Sequence, residues 1–321
     1  MERRRFLQMT SAVGLQQILG SRLSAQTASR PAVSRIVFVH GIAQQNLDPV
    51  ALKNTWIEAL RRGATSAGLK LPDNLDFQLP YYGNVLDKFT RGVPTTDDVQ
   101  ARGDDQADLD FLSFEAAAAD QMRQRAGIGD QAVDDLYGSN PAPRGPENWR
   151  WVQAIVRSID KFGFGISGGG IEAFLRSVYL YTNRAGVRDQ IDGIVKAALT
   201  EEPTVVVAHS LGSVVAYNVL RTDTRKLRVP LLVTVGCPLS IRAIRDQLVP
   251  IGFPKPAVET WNNAFDLRDI VALNPLDAAN FPVAPAVTNF NQVKNHTDNR
   301  HGIDGYLDDA TVARWILDAV G

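Results

Sequence analysis

The ten residues Thr204-Val205-Val206-Val207-Ala208-His209-Ser210-Leu211-Gly212-Ser213 constrain the fold of this chain more than any other stretch. A β-branched run without polar alternation suits a strand covered on both faces of a mostly parallel sheet. It runs straight into a serine, and Leu211 to Leu220 then carries helical spacing. A strand can pass into a helix through one residue only where its flanking side chains are small, and Ala208 and Gly212 meet that need. The strained bend projects the Ser210 hydroxyl outward, beside backbone N–H groups whose dipoles favour negative charge.

Other segments fall into the same rhythm. Arg35 to Val39 reads as a short buried strand ending at His40-Gly41, and Pro49 to Ala67 as the following helix. Asp76 to Tyr82, Leu231 to Val235, Ala257 to Phe265 and Val287 to Val293 are further strand candidates, and Tyr306 to Val320 reads as a closing amphipathic helix. Alternating strands and helices predict an α/β fold with a mostly parallel central sheet flanked by helices. At 321 residues the chain suits one large core with an insertion. From Gly83 to about Gly145 it is rich in Asp, Ala, Gln and Pro, which predicts a mainly helical inserted cap, about 84–170. Within and after it, Leu109 to Ala126, Trp149 to Phe162 and Ile171 to Leu199 carry helical patterns.

Composition removes several chemistries. The single Cys237 can form no intrachain disulfide or cysteine metal cluster, and the four histidines include no His-Glu-x-x-His pattern. No metal or other cofactor is therefore expected. A formal charge of -1 without a long basic stripe argues against nucleic acid as a partner. Gly163-Phe164-Gly165-Ile166-Ser167-Gly168 formally matches a dinucleotide fingerprint, but a helical pattern precedes it where a strand is required; it reads as a hinge.

The Ala-x-Ser-x-Gly turn between strand and helix, with His40-Gly41 upstream and acid and histidine candidates downstream, resembles the α/β-hydrolase superfamily. The resemblance runs from His40 to His301, except for the cap. It implies a serine hydrolase with Ser210 as nucleophile and the backbone N–H groups of Leu211 and Ile42 as the oxyanion hole, with Ala43 as an alternative to Ile42. The acid should follow the serine. Asp269, heading an Asp-Ile-Val-Ala stretch similar to the family's Asp-Pro-Val-type loop, is preferred to Asp266, although Ile270 stands where the family commonly has proline. The unused carboxylate is expected to pair with Arg268 as an ordinary surface charge. His301, in a His-x-x-x-x-Tyr setting before the final helix, is the base the resemblance implies; His296 competes with it. His209 is assigned to packing or orientation, Ser213 to structure, and Cys237 to a small buried thiol near the cleft floor.

The implied activity is cleavage of a small-molecule or lipid carboxylic ester through an acyl-enzyme. A thioesterase or amidase on the same triad, or a non-catalytic binding protein of this fold, is the alternative. Trp149, Trp151, Phe162, Phe164 and Phe174 in and after the cap would either line an acyl pocket or pack the cap onto its domain. At the start of the chain, Arg3-Arg4-Arg5-Phe6-Leu7-Gln8 resembles the bacterial twin-arginine export consensus. Residues 1–25 then read as a signal peptide, 26–34 as a linker and 35–321 as the hydrolase domain, in the periplasm or secreted, with a cytoplasmic location as the alternative. Met9 to Leu19, interrupted by Gly14, Gln16 and Gln17, is too short and polar for a membrane anchor.

Overall fold

Successive side chains on a strand point to opposite faces, and here both faces are covered, which is why residues 36–39, 205–208 and 231–233 are apolar throughout. The computed structural model describes residues 33–91, 106–138, 144, 145, 148–161, 170–272, 274–298 and 300–320, all within one unit, Ala32–Gly321. The readings of residues 1–25 as a signal peptide and of Gly163 to Gly168 as a hinge lie outside the described residues. The sheet contains β1 (Arg35–Val39), β2 (Asp76–Gln78), β3 (Thr204–His209), β4 (Val229–Val235), β5 (Val258–Ala264) and β6 (Thr288–Phe290). All six strands are parallel, in the spatial order β2-β1-β3-β4-β5-β6. The α/β class and the parallel, helix-flanked sheet are therefore as expected.

The helices up to β3 are α1 (Pro49–Ser66), α2 (Gly83–Thr90), α3 (Gln106–Arg125), α4 (Asp130–Tyr137), α5 (Trp149–Lys161), α6 (Gly170–Asn183) and α7 (Ala185–Ala198). After it come α8 (Leu211–Thr222), α9 (Arg242–Arg245), α10 (Asp304–Leu307) and α11 (Ala310–Val320). On one face of the sheet, Ile36, Phe38, Val205 and Val207 pack with Trp56 of α1 and Ile316 of α11. On the other, Val37, Val39, Val206 and Ala208 share a core with Val214 of α8 and with Phe114, Ile155 and Phe174. The helices between β2 and β3 thus bury their apolar stripes in a core continuous with the sheet. Each large side chain so buried contributes about 2 kcal/mol.

Strand order places the site. The chain moves outward from β1 to β2 and then returns to β3 on the other side of β1, so β1 and β3 flank a switch point; ligands of open parallel sheets bind beyond the carboxyl ends of such strands. Gly41 leaves β1 there and Ser210 leaves β3.

Several element boundaries differ from the sequence reading, and four of the differences have a local cause. β2 stops at Gln78, not Tyr82: Pro80 has no N–H for a ladder, and the Tyr82 N–H bonds His40 instead. β6 stops at Phe290, not Val293, because only Thr288 to Phe290 pair with β5. The helix expected over Ile171 to Leu199 breaks at Arg184, which takes an extended conformation. Just before it, Thr182 Oγ1 and Asn183 Nδ2 turn back to the carbonyls of Val178 and Tyr179, which weakens the helical ladder. The closing helix is also two helices, because Asp309 accepts the N–H groups of Thr311 and Val312 and so starts α11 afresh.

Glu115 of α3 is fully buried, and among the described residues neither of its carboxyl oxygens has a hydrogen-bond partner. Burial, reinforced by the nearby Glu172 and opposed by Arg176, pushes its carboxyl up to about 8 from an ordinary 4.5. The folded chain then holds this proton more tightly than the unfolded chain does. Its stabilising contribution is fully present below 4.5 and is lost as pH rises through 8. Glu115→Met should therefore stabilise the protein by about 3 kcal/mol more at pH 8 than at pH 5. Denaturant titrations at the two pH values check this; an equal gain at both would show that the carboxyl does not titrate in this window.

Candidate active site

The bend at Ser210 is tight because α8 starts against β1. A side chain at Gly212 would overlap the carbonyl oxygen of Val39. Ser210 itself sits at φ 57°, in the left-handed region that non-glycine residues seldom enter. This holds the hydroxyl outside both the strand and the helix. Gly41 lies against it, since a Cβ there would come within 2.7 Å of Ser210 Cβ and 3.2 Å of Oγ.

A continuous hydrogen-bonded chain starts at that hydroxyl. Ser210 Oγ is 2.8 Å from His301 Nε2, and His301 Nδ1 is 2.7 Å from Asp269 Oδ2. All three residues are buried. An ionised carboxylate only accepts, so Nδ1 carries the proton and Nε2 offers its lone pair to the Ser210 O–H. The second Asp269 oxygen accepts the Val271 N–H at 2.9 Å, which fixes the plane of the carboxylate.

The alternative residues do other work. Asp266 is buried, and its two oxygens accept the N–H of Arg268 and the N–H of Asn295, both at 2.8 Å. It ties the loop after β5 to the segment that carries His301. The expectation of an ordinary surface charge is thereby corrected: Arg268 does approach it at 3.4 Å, but the carboxylate is inside. His296 is 61% exposed and bonds Asp308 at 2.7 Å, so it does not join Ser210. His209 donates from Nε2 to the His301 carbonyl at 2.7 Å, and its ring lies 4.7 Å from the His301 ring. Burial, with His301 beside it, holds His209 well below the usual imidazole range, and hence neutral.

The loop after β1 is equally constrained. His40 Nε2 accepts the Tyr82 N–H at 3.1 Å, so its proton is on Nδ1, which donates to the Gly41 carbonyl at 2.8 Å. Burial lowers this imidazole to about 4 and keeps it neutral. In a trans peptide the N–H points opposite the carbonyl. Fixing the Gly41 carbonyl therefore fixes the direction of the Ile42 N–H. Ile42 lines a cleft of about 320 Å³ together with Ser210, His301, Trp56 and Gln44. The Leu211 N–H, at the first position of α8, has no intrahelical acceptor. Ala43, the alternative donor, takes φ 60°.

A second cleft of about 250 Å³ shares Gly41, Ile42 and Gln44 and extends to Arg91 and Arg176. Trp149, Trp151 and Phe174 line neither cleft; Phe174 is wholly within the core, and Phe162 and Phe164 lie outside the described residues. Cys237 is buried, and that burial pushes its thiol up to about 12, which leaves it without useful thiolate. Sequence reasoning missed Tyr306, whose hydroxyl donates to Asp269 Oδ2 at 2.5 Å. Its place five residues after His301 was the available signal.

Comparison of the chain with protein-family models, with curated proteins and with solved structures returns no match.

Proposed function

We propose that this protein is a serine hydrolase of the α/β-hydrolase type that cleaves carboxylic esters through an acyl-enzyme. The observation that carries the reading is the unbroken chain from Ser210 Oγ through His301 to Asp269, at 2.8 and 2.7 Å. In the first half-reaction His301 Nε2 takes the Ser210 proton as Oγ adds to the ester carbonyl. The resulting oxyanion meets the N–H groups of Leu211 and Ile42, and His301 then gives its proton to the departing alcohol. In the second half, water loses its proton to His301, attacks the acyl-enzyme and releases the acid, restoring Ser210.

Asp269 keeps the imidazole in the productive tautomer and balances its charge while it is protonated. Export as a folded protein belongs to the proposal, supported by the Arg3 to Gln8 motif alone.

A fluorophosphonate probe tests the reading. Intact protein treated at neutral pH and digested should carry the phosphonyl group on the peptide containing Ser210, in about one-to-one stoichiometry. Folded protein that stays unmodified would favour a binding role for the cleft.

A further inference from the structure

We infer that Tyr306 is a positioning residue of the catalytic apparatus, holding Asp269 in place and setting how strongly that carboxylate pulls on His301. The inference rests on the reading of Ser210, His301 and Asp269 as a hydrolase triad.

Asp269 is fully buried, and a buried carboxylate is tolerated only where donors replace the water it has lost. Among the described residues no Lys or Arg pairs with it. Its charge is met by three donors: the Val271 N–H on Oδ1, and both His301 Nδ1 and the Tyr306 hydroxyl on Oδ2. The imidazole and the phenol thus compete for one oxygen, at 2.7 and 2.5 Å. The direction of the phenol bond is fixed. Its oxygen receives the Asp266 N–H at 3.4 Å, while its own proton faces the carboxylate. Burial and the adjacent Asp269 push the phenol well above its ordinary range, so it remains a donor throughout the working pH range.

A hydrogen bond to an anion is stronger than a neutral one and draws charge from the acceptor. The Tyr306 O–H therefore lowers the charge that Oδ2 presents to Nδ1. It also stops the carboxylate from rotating away when His301 becomes cationic. Among the described residues, the other ionisable groups around the trio include the neutral His209 and, beyond it, the neutral His40, Asp266 with its partner Arg268, and Asp298 and Asp304, which line the cleft with Ser210 and His301. None of these touches Asp269 Oδ2.

The test compares wild type, Tyr306→Phe, and protein with 3-fluorotyrosine installed at position 306, whose more acidic phenol is a stronger donor of the same shape. The first readout needs no substrate: the downfield proton resonance of the His301–Asp269 hydrogen bond. Tyr306→Phe should move it further downfield, and fluorotyrosine should move it the other way. The second readout is the pH profile of ester hydrolysis. Tyr306→Phe should lower kcat about tenfold with little change in KM, and shift the acid limb upward by about one pH unit.

Unmoved resonance and acid limb in folded Tyr306→Phe, or a fluorotyrosine shift in the same direction as the phenylalanine shift, would overturn the inference. Should Tyr306→Phe fail to fold, the fluorotyrosine arm decides. An absence of ester turnover in wild type would count against the proposed function, while the resonance would still report on Tyr306.

Discussion

Ser210→Ala and His301→Ala should each lower kcat on an ester by about a millionfold, and the double variant should fall no further. The two groups act as one unit: without the hydroxyl there is nothing for the imidazole to deprotonate, and without the imidazole the hydroxyl keeps its proton. A residual rate about a thousandfold above the uncatalysed reaction should survive in all three variants, because the substitutions leave the proposed oxyanion donors, the Leu211 and Ile42 N–H groups, in place. Folding is not the cause of the loss. Alanine at φ 57° is about as strained as serine there, so thermal unfolding of Ser210→Ala should resemble that of wild type. Turnover of a chromogenic ester, with denaturation curves for each variant, checks the result. If Ser210→Ala kept a tenth of wild-type turnover, the nucleophile would lie elsewhere; Cys237, with its thiol held near 12, would be a poor replacement.

The features legible in the sequence were those fixed within a few neighbouring residues. The entry of β3 into α8 needs small residues beside Ser210, and Ala208 and Gly212 state that requirement locally. β1, β3 and β4 were legible because burial on both faces leaves no polar alternation. The edges were not. β2 and β6 each have one neighbour, so their lengths depend on where that neighbour stops pairing, with Pro80 adding a local stop after β2. Helix breaks at Arg184 and Asp309 were hidden because apolar periodicity continues across them while single side chains redirect the backbone.

The site divides in the same way. His301 and His296 are five positions apart, and what separates them is distant: Ser210 and Asp269 around one, the half-buried Asp308 beside the other. Tyr306 was visible only as a landmark before the last helix, because nothing near it in sequence announces a carboxylate reached from the loop after β5. The His40 proton could not be located from sequence either, since it is set by the Tyr82 N–H, forty-two residues on. Nor was the core role of Phe174 distinguishable from a pocket role, because both draw on the same apolar surface.

The two aspartates of the loop after β5 provide the sharpest contrast. Asp269→Asn should lower kcat about ten-thousandfold with little change in KM, whereas Asp266→Asn should leave kcat within about tenfold of wild type. An amide at 269 can turn its NH₂ toward His301 Nδ1, which then becomes an acceptor. The ring proton moves to Nε2, where it faces Ser210 and abolishes the base. The steric change is negligible; the loss is one of tautomer. At 266 the substitution works on folding instead. One oxygen remains for the Arg268 N–H, but the position that accepts the Asn295 N–H is exchanged for a donor, leaving a buried N–H unpaired at about 2 kcal/mol. Its melting temperature should fall while the surviving folded fraction turns over ester normally. Steady-state kinetics on both variants, normalised to the folded fraction read from denaturation curves, separate these effects. The reverse pattern, with Asp266→Asn inactive and Asp269→Asn near wild type, would mean that His301 takes its proton bookkeeping from the other carboxylate, and the hydrogen bond at 2.7 Å would then be structural.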